Sequence, residues 1–197
     1  MTNSGEGRPL GWLLLVYKLP AEPTRHRASV WRKLKAAGAV YLQNGVAALP
    51  ADAGGERTMR GVVQEIREAG GTAHLLRGEA VGDEAALVGA FGHARDAEYA
   101  EVLDRCRDFH AELGMERFAG KFTFAELEEN EEDLAKLEAW FAKVRARDRF
   151  GAPLSGEAER AVGACGEDLG AFARSVYEAA DHGSAGGGEG RQEDGGA

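Results

Sequence analysis

The sequence predicts an α+β chain, in which a first half of mixed strands and helices precedes a second half that is helical. Residues 11–19 (GWLLLVYKL) form a nearly continuous apolar run, typical of a central strand buried on both faces. Asn44-Gly45 separates two short β-prone runs and favours a hairpin, because a type I′ turn needs positive φ at both central residues. From Asp83 onward, apolar residues recur at helical spacing. The first half has the β-α-β-β-α-β order of a ferredoxin-like fold, and about three helices follow it.

The first predicted helix covers residues 25–37 and ends at Gly38. At 100° per residue, Val30 and Leu34 share one face, and Trp31 lies at the edge of that face. Trp31 is therefore expected to pack in the core rather than to stack on a base.

The other elements follow from the same patterns of apolar residues and breakers. In chain order, the predicted elements are two strands within 40–51, a helix over 57–69, a strand over 72–76, and helices over 85–113, 124–147 and 155–180. Gly114 is expected to end the first of the three long helices, because glycine disfavours a helix interior.

The predicted domain organisation has four segments. Residues 1–9 form a flexible N-terminus, and residues 10–82 form the ferredoxin-like domain. Residues 83–182 form a helical region that packs on this domain. Residues 183–197 are rich in glycine and are predicted to be a disordered tail.

Charge is distributed unevenly over a chain whose net charge is −9. Residues 1–82 contain 11 Lys and Arg against 7 Asp and Glu, whereas residues 83–182 contain 12 against 23. A general affinity for nucleic acid is therefore not expected, although the first half is mildly basic and local charge governs contact with a phosphate.

The sequence favours a cytoplasmic protein without a membrane span. Its longest apolar stretch, residues 12–17, is far shorter than the roughly 20 residues that a membrane helix requires. Residues 1–9 contain no apolar signal-peptide core. Cys106 and Cys165 lie in separate helical segments and give no disulfide framework, as is typical of a reducing compartment.

Basic residues of the first helix are the candidate binding site, for DNA phosphates or for an oxyanion. Arginine suits both ligands, because its planar donors can bond to two oxygens at once. The alternative is that these side chains form only the solvated outer face of an amphipathic helix. The candidate residues, with one lysine from the end of the first strand, are Lys18, Arg25, Arg27, Arg32, Lys33 and Lys35.

A second basic cluster ends the second long helix. Its residues are Lys143, Arg145, Arg147 and Arg149. They are expected to compensate the helix dipole, or to pair with the acidic run over residues 128–133 of a neighbour.

Cys106 and His110 lie four residues apart and therefore share a helix face. Two such ligands do not make a metal site, which in proteins usually needs three or four. A buried cysteine beside a peripheral histidine is the expected structure.

Several segments together resemble one family. Residues 12–51 (WLLLVYKLPAEPTRHRASVWRKLKAAGAVYLQNGVAALPA) resemble the start of ChrB-type chromate-resistance regulators, with a Tyr-Lys strand end, a Trp-Arg-x-Leu helix and a Gly-Val…Leu-Pro hairpin. The resemblance continues through residues 95–106, 121–140 and 147–153.

This resemblance implies a chromate-responsive transcriptional regulator, often encoded near a chromate efflux pump. It implies binding to DNA through the basic first helix, with chromate or a similar oxyanion as a possible effector and no other cofactor. A homodimer is the expected assembly, because an open sheet has edges to cover and paired half-sites match a twofold protein.

The alternatives are a protein-interaction module with acidic helices and, less favoured, an enzyme. The first 80 residues are also similar to the module shared by phenylacetate-type repressors and CRISPR adaptation nucleases. Those nucleases bind metal through an aspartate at the end of the first strand. Residues 16–20 (VYKLP) contain no acid at this place, so a nuclease is not expected.

Overall fold

The computed structural model describes residues 11–185. The predictions of a flexible segment over 1–9 and of disorder over 186–197 lie outside these residues. The described chain divides into two units. The first unit contains residues 11–96 and 146–152, and thus reaches beyond the predicted boundary at residue 82. The second contains residues 97–145 and 153–185.

A four-stranded sheet with two helices forms most of the first unit. Its elements are β1 Gly11–Lys18, α1 Thr24–Ala36, β2 Val40–Gln43, β3 Val46–Pro50, α2 Ala53–Glu68 and β4 Thr72–Glu79. The strand order is β2-β3-β1-β4, and every neighbouring pair is antiparallel. This topology confirms the predicted ferredoxin-like half.

Alternation along β1 directs its side chains to opposite faces of the sheet. Leu13 and Leu15 are buried, and Leu13 faces α2, where it lies near Gly55. Val30 and Leu34 of α1 are fully buried on the predicted face of that helix. Burying such side chains is the main contribution to the stability of this layer, at about 1.5–3 kcal/mol each.

An aromatic cluster covers part of the other sheet face. The Trp12 ring stacks on Phe91 with centroids 5.5 Å apart and lies 6.0 Å from Phe150. Trp12 Nε1 donates to Glu84 at 3.3 Å. Phe150 belongs to residues 146–152, so this cluster explains why that segment returns to the first unit.

The predicted hairpin turn is confirmed at Asn44-Gly45. Gly45 has φ +76°, and a Cβ placed there would lie 2.5 Å from the carbonyl oxygen of Tyr17. The Tyr17 amide in turn donates to the Gly45 carbonyl at 2.7 Å. Only glycine fits this position, and the turn is thereby held against the end of β1.

Three helices supply the second unit and part of the first: α3 Glu84–Phe118, α4 Phe124–Arg147 and α5 Ser155–Ala185. The predicted break at Gly114 is wrong, because the helix continues through it with Leu113 fully buried. Such burial outweighs the roughly 1 kcal/mol cost of an internal glycine. Helix α5 continues through residues 183–185.

None of the helices within residues 11–185 is both long and apolar enough to cross a membrane.

Candidate nucleic-acid and anion-binding surface

The buried face of α1 determines where its basic side chains lie. Val30 and Leu34 point into the core, and the remaining positions follow at about 100° per residue. Arg25 and Arg32 lie on the opposite, outer face, and both are exposed. The helix therefore displays two guanidinium groups, seven residues apart, on one solvent-facing side.

Lys33 lies on the side of α1 that faces α2. Its Nζ is 2.6 Å from Glu65 Oε2. Burial opposes ionisation of Glu65, but the bonds from Lys33 and Ser29 outweigh it and lower the pKa of this carboxyl. The Lys33 side chain remains 56% exposed, yet its charge is already matched by a carboxylate.

The side of α1 that faces the hairpin carries Arg27, Trp31 and Lys35. The Lys35 ammonium lies 5.2 Å from the centre of the Trp31 ring, in a cation–π contact. Arg27 Nη2 donates to the Ala21 carbonyl at 2.7 Å, which anchors the guanidinium beside the loop before α1.

These side chains border an open groove of about 620 Å³, which we call the aromatic groove. Its lining residues are Tyr17, Lys18, Leu19, Arg27, Trp31, Tyr41, Asn44 and Gly45. Among the described residues that line it, two are cations and none is a carboxylate. The groove is therefore suited to an anionic ligand with an apolar or planar part.

Two tyrosine hydroxyls meet in the aromatic groove. The Tyr17 and Tyr41 oxygens are 3.0 Å apart, and one hydroxyl donates to the other. Burial, followed by the bond and charge of Tyr17, raises the pKa of Tyr41 well above its ordinary value. Tyr41 thus stays neutral at physiological pH, and the pair offers both a donor and an acceptor.

The structure separates the six predicted site residues into three groups. Lys18 and Arg27 line the aromatic groove, with Lys35 beside it. Arg25 and Arg32 occupy the outer face, and Lys33 is paired with Glu65.

The prediction that Trp31 packs in the core is wrong, because this side chain is 50% exposed. Sequence reasoning also missed Tyr17 and Tyr41 as groove residues. One signal was present: the Asn44-Gly45 turn implies that β2 folds back beside β3, toward the end of β1.

Two residues of the second basic cluster have carboxylate partners outside the acidic run of α4. Arg145 pairs with Glu159 of α5. Arg149 Nη1 lies 2.8 Å from Asp52 Oδ2, and Asp52 also caps α2 through the Gly55 amide. These ion pairs give the two arginines a structural role.

Cys106 is buried, as predicted, and His110 is partly exposed. His110 contacts Asp168 Oδ2 through Nδ1 at 2.7 Å and Cys165 Sγ through Nε2 at 3.6 Å. Burial and the neighbouring Cys106 raise the pKa of Cys165 to about 12, so the thiol is a poor nucleophile. Within residues 11–185, no three His, Cys, Asp or Glu side chains are arranged so that they could hold a metal ion.

Comparison with known proteins gives one family and one curated relative. The family model described as "Protein ChrB, N-terminal" matches residues 27–183. Protein ChrB of Cupriavidus metallidurans is 28% identical over 120 residues, which cover 61% of this chain and 34% of that protein. The matched region thus spans about a third of the relative's length. No solved structure matches the chain significantly.

Proposed function

This chain belongs to the family of ChrB N-terminal regions, and from that premise we propose that it acts in chromate resistance as a transcriptional regulator that binds DNA through α1. The observation that carries the proposal is the exposed pair Arg25 and Arg32 on the outer face of α1. Lys18, Arg27 and Lys35 add positive charge on the hairpin side of the same helix.

Affinity for DNA comes mainly from neutralised phosphates, each of which releases condensed counterions. Guanidinium groups one or two helical turns apart can contact successive phosphates while their planar donors fix the orientation. High salt should weaken binding, because it reduces the gain from counterion release. The net charge of −9 opposes approach at long range, so binding should be confined to this surface.

The proposed regulator is a cytoplasmic homodimer with no catalytic activity and no bound cofactor. Its proposed effector is chromate or a similar tetrahedral oxyanion, which would accept hydrogen bonds from donors beside α1. The raised pKa of Cys165 argues only against this thiol as a catalytic nucleophile, because a strong nucleophile needs a thiolate. Strands β2 and β4 end the sheet and are the edges at which a second copy would pair.

The test is fluorescence anisotropy of a duplex from the chain's own promoter, titrated with folded protein at several salt concentrations. We expect Arg25→Ala/Arg32→Ala to weaken binding and to reduce the salt slope by about two, one for each lost phosphate contact. Arg105→Ala is the matched control, because this exposed arginine lies in α3 and pairs with Asp108.

Absence of promoter binding at low salt, or equal binding by the double variant, would remove the proposal. That result would favour the second reading, a protein-interaction module. The exposed acidic side chains of α4 support this reading and are Glu128, Glu129, Glu131 and Glu132.

A further inference from the structure

We propose that the aromatic groove binds a single unpaired nucleotide unit, with its base against the Trp31 ring and its phosphate at the neighbouring cations. This proposal rests on the proposed function and specifies which part of a nucleic acid binds on the hairpin side of α1. It concerns the hairpin side of α1, whereas duplex binding is assigned to Arg25 and Arg32 on the outer face.

The first observation is the exposed indole of Trp31. Half of this side chain is open to solvent, and the Lys35 ammonium lies over its ring, 5.2 Å from the centroid. An aromatic ring in a basic groove is a stacking platform for any base, because every base has a π-face. A base inside a duplex is already stacked on both sides, so the platform selects an unpaired one.

The second observation is the unmatched charge of the groove. Lys18 and Arg27 line it, and its lining within the described chain includes no carboxylate to neutralise them. Arg27 uses Nη2 to bond the Ala21 carbonyl, which fixes the guanidinium at the rim. A phosphate attached to a base on Trp31 would find cations on both sides, from Arg27 and from Lys35.

The third observation is the set of neutral polar groups that line the same groove. The hydroxyls of Tyr17 and Tyr41, 3.0 Å apart, together keep one O–H free to donate and lone pairs free to accept. The Asn44 amide, which also lines the groove, adds a donor and an acceptor. Base edges present this mixture of donors and acceptors, whereas a bare oxyanion presents only acceptors.

The size of the groove distinguishes a nucleotide from a small inorganic anion. A volume of about 620 Å³ lies within the range of sites for small organic ligands, roughly 300–1,000 Å³. A tetrahedral oxyanion would fill a small part of this space and would leave the indole face unused. A nucleotide uses the ring, the hydroxyl pair and the cations together.

The experiment compares two probes on the full chain: AMP, and a single-stranded oligodeoxythymidylate of about ten nucleotides. Oligonucleotide binding is followed by anisotropy, and AMP binding by quenching of the tryptophan fluorescence that Trp31→Ala removes. We expect Trp31→Ala to weaken oligonucleotide binding at least about fivefold, and Trp31→Phe to restore most of it because a ring remains. Lys136→Ala, which removes an exposed cation from α4, is the control.

Binding of both probes would identify a site for free nucleotides, and binding of the oligonucleotide alone would identify a site for strands. Either result supports the proposal when Trp31→Ala weakens oligonucleotide binding measured by anisotropy and circular dichroism shows a folded variant. Failure of both probes to bind the folded wild type, or binding that Trp31→Ala leaves unchanged, overturns it.

Promoter duplex binding is measured in parallel: its loss in Arg25→Ala/Arg32→Ala but not in Trp31→Ala separates the two sites. Nucleotide binding without any promoter binding would remove the regulator proposal alone.

Discussion

Each of the two units carries an open groove that is lined by a tryptophan and two cations. Acidic side chains line only one of these two grooves. In the first unit, the aromatic groove sets Lys18 and Arg27 beside Trp31 without a carboxylate in its described lining. The groove of about 370 Å³ in the second unit, here called the mixed-charge groove, is formed by α3 and α4. Its lining residues are Arg105, Asp108, Phe109, Glu112, Asp133, Lys136, Leu137 and Trp140.

The cations of the mixed-charge groove are matched locally. Lys136 Nζ lies 2.7 Å from Asp133 Oδ1, and Arg105 Nη1 lies 3.7 Å from Asp108 Oδ2. Residue types alone therefore do not identify an anion site. A cation attracts a phosphate less strongly where a nearby carboxylate already pairs with it.

The largest expected effect comes from breaking the frame of the aromatic groove with Gly45→Ala. The positive φ of Gly45, together with a Cβ only 2.5 Å from the Tyr17 carbonyl oxygen, should lower the free energy of unfolding by about 1–3 kcal/mol. Urea denaturation measures this change. Gly163→Ala is the matched control, since this exposed position in α5 has open space around it and should instead gain up to about 1 kcal/mol. Equal stability of wild type and Gly45→Ala would contradict the role given to the turn.

A smaller effect is expected when the mixed-charge groove loses its acids. Asp108→Asn/Asp133→Asn removes the ion pair of Arg105 and the shorter of the two ion pairs of Lys136, which keeps Glu132 at 3.6 Å. The groove should therefore acquire a modest affinity for a short single-stranded oligonucleotide. The salt slope of oligonucleotide binding should rise by about one. Glu157→Gln/Glu167→Gln changes the net charge equally on exposed positions of α5 and serves as the control. If both double variants gain the same affinity, net charge rather than local matching explains it.

The smallest effect concerns the hydroxyl pair of the aromatic groove. Burial and the bond to Tyr17 raise the pKa of Tyr41, so the folded chain holds this proton to higher pH than the unfolded chain does. The resulting stabilisation is complete below about pH 10 and is lost as the pH rises beyond that value. The free energy of unfolding should therefore fall more steeply above pH 10 in wild type than in Tyr41→Phe. Tyr177→Phe, at an exposed position of α5, is the control, and identical slopes for wild type and Tyr41→Phe would contradict the assignment.

The fold was predictable because its signals are local. The apolar run over 11–19, the Asn44-Gly45 turn and the helical period of α1 each depend on neighbours in sequence. The error at Gly114 arose where tertiary burial of α3 outweighed a local propensity.

The candidate site was predictable only in part, because its geometry depends on pairs that are distant in sequence. Lys33 meets Glu65 across 32 residues, and Tyr17 meets Tyr41 across 24. Periodicity placed Trp31 at the edge of the buried face, but whether an edge position is covered depends on what packs beside it. The sequence therefore identified the helix that carries the candidate cations. The structure was needed to show which of these cations pair with a carboxylate, as Lys33 does with Glu65.

The return of residues 146–152 to the first unit affects how the protein can be divided experimentally. A fragment that stops at residue 96 would lack Phe150, one of the two rings that cover Trp12. The uncovered indole would expose apolar surface on the sheet and promote aggregation during expression. Isolating the sheet-bearing half therefore requires a linker that carries the 146–152 segment back to it, or a polar replacement at Trp12.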